Sequence, residues 1–130
     1  MNIGGTYVIK ETLEFFKLLS DETRFRVIML LLEKDLAVCE LVGILELPQP
    51  KVSKALGKLR DLGLVLDERK EKYMYYSLNP NKERFIKILK EIKNTCDSIC
   101  LIAQDTKKLR EKSYSVVCCD IDKMSVRGDE

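Results

Sequence analysis

The stretch from residue 48 to residue 78 limits the fold of this 130-residue chain more than any other part. A short cationic segment, a glycine and two short strand-like segments follow one another directly: PQPKVSKALGKLRDLG, then LVLDERKEKYMYYSL. Pro50 suits the first turn of a helix, where its missing N–H does no harm, and Gly63 is the expected left-handed stop. The pattern predicts a helix over residues 50–62 followed by a charged hairpin, which together present a basic surface to nucleic acid.

The apolar residues of this helix define which side of it faces outward. With Val52, Leu56 and Leu59 directed inward, the polar residues fall on the opposite side at helical spacing. That side carries four cations against one anion, namely Lys51, Lys54, Lys58 and Arg60 against Asp61. A solvated helix face is the plain interpretation of such a run, but the short helix before it and the hairpin after it favour DNA binding.

The predicted DNA contacts divide between the helix and the hairpin. Gln49 stands at the N-terminal end, which usually meets base edges, and glutamine pairs with adenine. Strands are expected over residues 64–68 and 72–78, around a turn at 69–71. Serine and lysine side chains reach bases or phosphates, and the hairpin cations suit the DNA backbone or a minor groove. The predicted DNA-binding residues are Gln49, Lys51, Ser53, Lys54, Lys58, Arg69, Lys70 and Lys72.

Helical periodicity accounts for most of the remaining chain. Helices are expected over residues 8–19, 21–34 and 37–45. Ser20 is the expected cap of the second helix. The first helix carries one apolar stripe, made of Ile9, Leu13, Phe16 and Leu19. A long helix is expected over residues 81–112. It would measure about 45 Å, more than a domain of this size covers. An apolar stripe left exposed on that helix argues for a partner chain.

Composition excludes several classes of function. The net charge is only +2, so any basic patch must be local, and the absence of histidine removes imidazole from catalysis and metal binding. No apolar run reaches the roughly 20 residues of a membrane span, and no secretory signal is expected, because the first residues lack the basic-then-apolar layout of one. Five cysteines in a chain expected to be cytoplasmic indicate metal, metalloid or redox chemistry before disulfides. An enzyme is not expected, because neither a C-x-x-C motif nor a cofactor loop is present.

Three segments in order, LSDETRFRVIMLLLEK, CELVGILELPQPKVSKALGKLRDLGLV and RKEKYMYYSL, resemble the ArsR/SmtB family of winged helix-turn-helix repressors. The resemblance implies a mainly α fold with a small β-hairpin, dimerised through its terminal helices. It also implies a homodimer that binds an inverted-repeat DNA operator and releases it when an inducer binds. Residues 1–112 would form the DNA-binding and dimerisation domain, and residues 113–130 a flexible tail with cysteines. Two departures from the family are Pro48, in place of a polar cap, and the absence of glycine in the wing turn.

The cysteines suggest where an inducer binds. In the family's arsenite site a Cys-Val-Cys motif occurs where this chain has Ala37-Val38-Cys39, so one thiol is missing, and the family's usual zinc site needs histidine. Cys96 and Cys100 remain, at i, i+4 spacing on the expected long helix, with Cβ atoms roughly 6 Å apart. A thiol from the tail, Cys118 or Cys119, would complete a three-sulfur site for As(III) or Sb(III), the favoured inducers. A fourth thiol would suit Cd(II), Pb(II) or Zn(II).

Other roles for the thiols remain open at this point. Cys39 and Cys96 lie among apolar residues, where cysteine often serves as a small core side chain. Oxidation or persulfide formation at the same cysteines would make the chain a thiol redox sensor of the same fold. A constitutive repressor whose cysteines are idle is the third alternative.

Overall fold

The computed structural model of the chain describes residues 2–96 and 100–114, and the side chains of residues 9–96 and 101–114. This part of the chain is mainly helical and holds one three-stranded antiparallel sheet. In chain order the elements are α1 (Asn2–Leu19), α2 (Glu22–Leu31), β1 (Leu36–Ala37), α3 (Val38–Leu45), α4 (Gln49–Asp61), β2 (Val65–Lys70), β3 (Tyr73–Leu78), α5 (Glu83–Cys96) and α6 (Cys100–Glu111). A 3-10 turn, Pro80–Lys82, leads into α5.

The core is built around α2, as its almost continuous apolar run predicts. Val27, Ile28 and Leu30 are fully buried, and α1, α4 and α6 pack around this helix. The expected cap at Ser20 is wrong by one residue. Asp21 takes that position, because its carboxylate accepts a hydrogen bond from the Arg24 amide at 3.0 Å. Ser20 instead donates to the Lys17 carbonyl and closes α1.

Helix α1 contacts the core through a different residue from the expected apolar stripe. Phe15 is fully buried and stacks on Phe85 of α5 with ring centroids 4.4 Å apart. The exposed fractions of Ile9, Leu13 and Phe16 are 62%, 63% and 48%. The stripe therefore exists on α1, but its first three members face away from the core of the single chain.

The sheet contains a strand that local patterning did not predict. β1 is two residues long and pairs with β3, with Leu36 opposite Tyr76, which gives the strand order β1-β3-β2. The hairpin itself is confirmed, but β2 extends to Lys70, so the turn is shorter than expected and consists of Glu71 and Lys72. Glu71 has a φ of 58°, a left-handed conformation that glycine usually adopts.

The expected single helix over residues 81–112 is replaced by two helices, α5 and α6. The Lys93 ammonium donates to the Thr106 hydroxyl at 3.0 Å, although thirteen residues separate them. In one straight helix those positions would lie roughly 20 Å apart, at about 1.5 Å per residue. Helices α5 and α6 therefore pack side by side, and the predicted long helix was wrong because its amphipathic period continues across the break.

Candidate nucleic-acid interface

Helix α4 is held against the core by the side that its sequence predicts. Val52, Leu56 and Leu59 are fully buried, and α2 and α3 pack against this apolar side. Gly63 ends the helix with a φ of 80°, which confirms the expected left-handed stop. The opposite side of α4 is consequently turned toward solvent.

The beginning of α4 has little capping of its own. Pro48 occupies the cap position and its side chain makes no capping hydrogen bond, as its identity requires. Gln49 is half-buried, and its side-chain amide donates to the Ser53 hydroxyl at 2.7 Å. Two predicted base-contacting residues are thus already joined on the first turn of the helix. The pair orients the Gln49 amide before any partner arrives.

The lysines of α4 form the exposed part of the predicted interface. Lys51, Lys54 and Lys58 are all exposed, and in the chain as described none of them forms an ion pair. Exposed cations that are not neutralised by an ion-pair partner can attract an incoming anion. Gly57 lies between them, and the nearest space around its Cα is open. A partner can therefore approach the helix backbone closely at this position.

Lys58 also lines a recess of about 460 Å³ between α1, α2 and the end of α4. The charged residues that line this recess are three cations, Lys17, Arg24 and Lys58, and two acids, Glu14 and Asp61. The excess of one positive charge is small, so the recess adds little to the field of the α4 lysines.

The wing carries the second group of predicted contacts. Arg69, Lys70 and Lys72 are all exposed near the tip of the hairpin. The Lys70 ammonium lies 5.7 Å from the centre of the Tyr75 ring and 3.8 Å from the Glu68 carboxylate. These contacts hold Lys70 along the strand, while the hairpin projects its charges beyond the body of the protein.

An ion pair that the sequence did not predict joins α4 to the wing. The Arg60 guanidinium donates to the Asp67 carboxylate of β2 at 2.9 Å, and this hydrogen bond raises the pKa of Arg60. Nearby, burial raises the pKa of the Tyr76 phenol. The sequence places Arg60 on the outward face of α4. In the structure its guanidinium is paired with Asp67 and fixes the wing relative to the helix.

Of the four predicted thiol ligands, only Cys96 has its side chain within the described part of the chain. Cys96 ends α5 and is partly buried, Cys100 begins α6, and Cys39 is buried in α3. The i, i+4 spacing of Cys96 and Cys100 therefore does not lie within one continuous helix. Cys118 and Cys119 lie outside the described residues. Within those residues, no three cysteine or acidic side chains are close enough to hold a metal ion.

Comparison with known proteins identifies the family. Residues 21–66 match the family model described as "Bacterial regulatory protein, arsR family". The crystal structure of the transcriptional repressor PagR of Bacillus anthracis is 31% identical, with a TM-score of 0.56, over 65% of this chain and 98% of that one. This chain belongs to the arsR family. The members of this family are transcriptional regulators and not enzymes.

Further arsR-family likenesses agree with the winged helix-turn-helix fold. The arsenic resistance transcriptional regulator ArsR1 of Pseudomonas putida is 44% identical over 72 residues, which are 55% of this chain and 56% of that protein. The chain thus spans little more than half the length of this relative. The transcriptional repressor BigR of Xylella fastidiosa is 25% identical with a TM-score of 0.62, over 78% and 98% of the two chains.

In residues 2–96 and 100–114, no helix combines the length and the apolar character that crossing a membrane requires.

Proposed function

We propose that this arsR-family protein is a repressor that binds an inverted-repeat DNA operator as a homodimer. The observation that carries the proposal is the exposed lysine face of α4, on a helix whose opposite side is fully buried. A rigid cationic helix of this kind fits the major groove of DNA. The wing, tied to α4 by Arg60 and Asp67, provides a second cationic contact beside it.

The residues of the interface take different roles in this proposal. Gln49 and Ser53, joined at the start of α4, contact base edges, since glutamine and serine can read them in the major groove. Lys51, Lys54 and Lys58 contact phosphates or bases. Arg69, Lys70 and Lys72 lie along the flanking backbone or minor groove. Sequence specificity then comes from the first turn of α4, and most of the salt-dependent affinity comes from the lysines.

The exposed stripe of α1 supports the homodimer. Ile9, Leu13 and Phe16 lie one helical turn apart and together form an apolar surface that a single chain leaves in water. Contiguous exposed apolar surface of this kind is typical of protein interfaces. A second copy covering it would also supply the second recognition helix. Two such helices bind one face of DNA when they lie about 34 Å apart.

A titration with DNA tests the interface. A duplex selected by the protein from a random-sequence library serves as the probe, with Lys54→Met as the variant and Lys90→Met, an exposed position on α5, as the matched control. We expect Lys54→Met to weaken binding and to lower the slope of log affinity against log salt by about 0.9, one phosphate contact. Lys90→Met should behave as the parent does. Failure of the parent to select any duplex, or a monomer in sedimentation, contradicts the proposal.

We further propose that a thiophilic ion, with As(III) first, releases the operator. The arsenic-resistance relative supports this choice by its name, and the five cysteines support it by their chemistry. The described residues alone do not supply three thiols at one place. The proposal therefore depends on Cys118 and Cys119 joining Cys96 or Cys100. Sb(III), Cd(II), Pb(II) and Zn(II) are the other candidate inducers.

Release of the selected duplex shows directly which compound acts as the inducer. Arsenite, antimonite and the three divalent ions are titrated into the reduced protein–DNA complex, and peroxide or polysulfide into a metal-free one. We expect release by arsenite, and its loss in Cys96→Ser and in the pair Cys118→Ser with Cys119→Ser. Release by the oxidants alone would show a thiol redox sensor instead. Retention of the arsenite response in all these variants, with its loss in Cys39→Ser, would move the site to α3.

A further inference from the structure

The last turn of α3 offers backbone carbonyls that its own helix cannot use. The final carbonyl groups of any α-helix lack intrahelical partners and need another donor. In α3 the Val42 carbonyl accepts from the Glu46 amide, which closes the turn. The carbonyls of Ile44 and Leu45 are the last two of the helix, immediately before the turn that leads into α4.

Helix α6 supplies a donor to the first of these carbonyls. The Lys108 ammonium donates to the Ile44 carbonyl at 3.3 Å and also pairs with the Glu46 carboxylate. The hydrogen bond from Lys108 lowers the pKa of Glu46. One cation of α6 therefore contacts both the last turn of α3 and the residue that follows it.

The second carbonyl is reached through a buried ion pair. The Arg26 guanidinium of α2 makes two hydrogen bonds to the Asp105 carboxylate of α6, at 2.8 and 2.9 Å. The guanidinium also makes a long contact of 3.5 Å to the Leu45 carbonyl and lies 3.8 Å from the exposed Glu22 carboxylate. Both partners are buried, so the paired charges have few alternatives to this geometry. Asp105 thus orients the guanidinium that covers the end of α3.

Apart from Leu47, which is partly buried and packs against the core, the turn between α3 and α4 has few side-chain constraints. Glu46 has a left-handed φ of 55°, and Pro48 caps α4 without a side-chain hydrogen bond. A non-glycine residue in this conformation is held by its surroundings and not by its own preference. The apolar side of α4 fixes its position on the core, and the contacts that α6 makes with Glu46 and with the end of α3 add a constraint on how the helix starts.

We propose that Arg26, Asp105 and Lys108 are positioning residues that fix the start of the recognition helix, and we name them the α3 clamp. This inference rests on the proposed DNA-binding function. Through the clamp, the orientation of α4 depends on the position of α6. A displacement of α6 would withdraw the Lys108 and Asp105 contacts together, while leaving every proposed DNA-contacting side chain intact.

A lysine comparison on α6 tests the clamp. Lys108→Met removes the donor, Lys108→Arg keeps a cation within reach, and Lys107→Met removes the same charge from the exposed neighbouring position. Binding is measured to the duplex that the parent selects and to a random-sequence duplex. We expect Lys108→Met to weaken selected binding about fivefold, the value of one hydrogen bond of about 1 kcal/mol. Random-duplex binding and the salt slope should stay as in the parent, and Lys108→Arg should retain affinity.

Two outcomes overturn the inference while the proposed function stands. In one, Lys108→Met binds the selected duplex as tightly as Lys107→Met does. In the other, it loses selected and random binding equally and its salt slope falls by about 0.9, which makes Lys108 a phosphate contact. A parent protein that binds no duplex contradicts the proposed function instead.

Hydrogen exchange gives a second measurement that needs no DNA. With the clamp weakened, the amides of Glu46, Leu47 and Gln49 should exchange faster in Lys108→Met than in Lys107→Met, since local opening needs fewer broken contacts. The amides in the centre of α2 report whether the fold as a whole is unchanged. Equal exchange at the turn in both variants would also overturn the inference.

Discussion

Helices α4 and α6 are similar in length and composition but use their charges in opposite ways. They contain 13 and 12 residues, and both carry basic residues in their last turn. On α4 the lysines are exposed and have no ion-pair partner among the described residues. On α6, Asp105 is only 2% exposed and both its carboxylate oxygens accept hydrogen bonds from Arg26.

This difference separates a binding surface from a structural support. A buried charge destabilises the fold unless it is paired, and the buried polar side chains of α6, Asp105 and Thr106, both have hydrogen-bond partners within the chain. An exposed lysine stays hydrated and pays no desolvation penalty, and its charge remains available to a partner. Substitutions on α6 should therefore lower stability first, and substitutions on the outer face of α4 should alter binding first.

Loss of the Asp105 charge should give the largest effect on stability. Asp105→Asn removes the buried counter-ion of the Arg26 guanidinium and leaves only the exposed Glu22 carboxylate at 3.8 Å, so we expect the free energy of unfolding to fall by about 3 kcal/mol. Urea denaturation of the variant and the parent measures the difference. Asp61→Asn, which changes an exposed carboxylate on α4, should alter the free energy of unfolding by less than about 0.5 kcal/mol.

A double variant shows whether the loss comes from the orphaned charge. Arg26→Met combined with Asp105→Leu replaces the pair by apolar side chains, and it should recover most of the stability lost in Asp105→Asn. Equal losses in Asp105→Asn and Asp61→Asn would remove the contrast between the two helices.

The parts of the fold that local signals determine could be predicted from the sequence. The apolar side of α4, the stop at Gly63 and the hairpin after it depend on residues close together in the chain, and all three are confirmed. Strand β1 could not be predicted, because two residues carry no period and exist as a strand only through pairing with β3. The break between α5 and α6 was missed for a related reason, since the contacts that fold α6 back are long-range.

The same difference between local signals and long-range contacts applies to the candidate site. Exposure of the α4 and wing cations follows from helical and strand geometry, so the sequence placed these residues on the surface correctly. Partners distant in sequence were missed, since Arg26 and Asp105 are 79 residues apart and nothing near either residue points to the other. Arg24 and Arg26, which interrupt the apolar run near the start of α2, were the available signal. The thiol site stays a prediction, because Cys118 and Cys119 lie outside the described residues.

An intermediate effect is expected at Gly57, on the outer face of α4. Gly57→Ala should raise the free energy of unfolding by about 0.5 to 1 kcal/mol, because alanine favours a helix and its Cβ meets open space here. The same methyl group should weaken binding to the selected duplex if this face lies close against DNA. Thermal unfolding and DNA titration of one preparation measure both changes.

A matched change on α5 isolates the effect of position. Asn94→Ala also improves helix propensity at an exposed site, so it should raise stability without changing DNA binding. Tighter or unchanged DNA binding by Gly57→Ala would show that the α4 backbone does not approach a duplex closely.

The smallest effect is a pH dependence at the end of α3. The hydrogen bond from Lys108 lowers the pKa of Glu46 from its ordinary value of 4.5. The stability gained from the ionised Glu46 is therefore complete above pH 4.5 and is lost as the pH falls through the lowered value. We expect Glu46→Gln to be less stable than the parent by a constant amount near neutral pH, and this difference should vanish in acid. In a Lys108→Met background the same substitution should show no such difference, and a pH-dependent difference that persists there would assign the effect to a group other than Lys108.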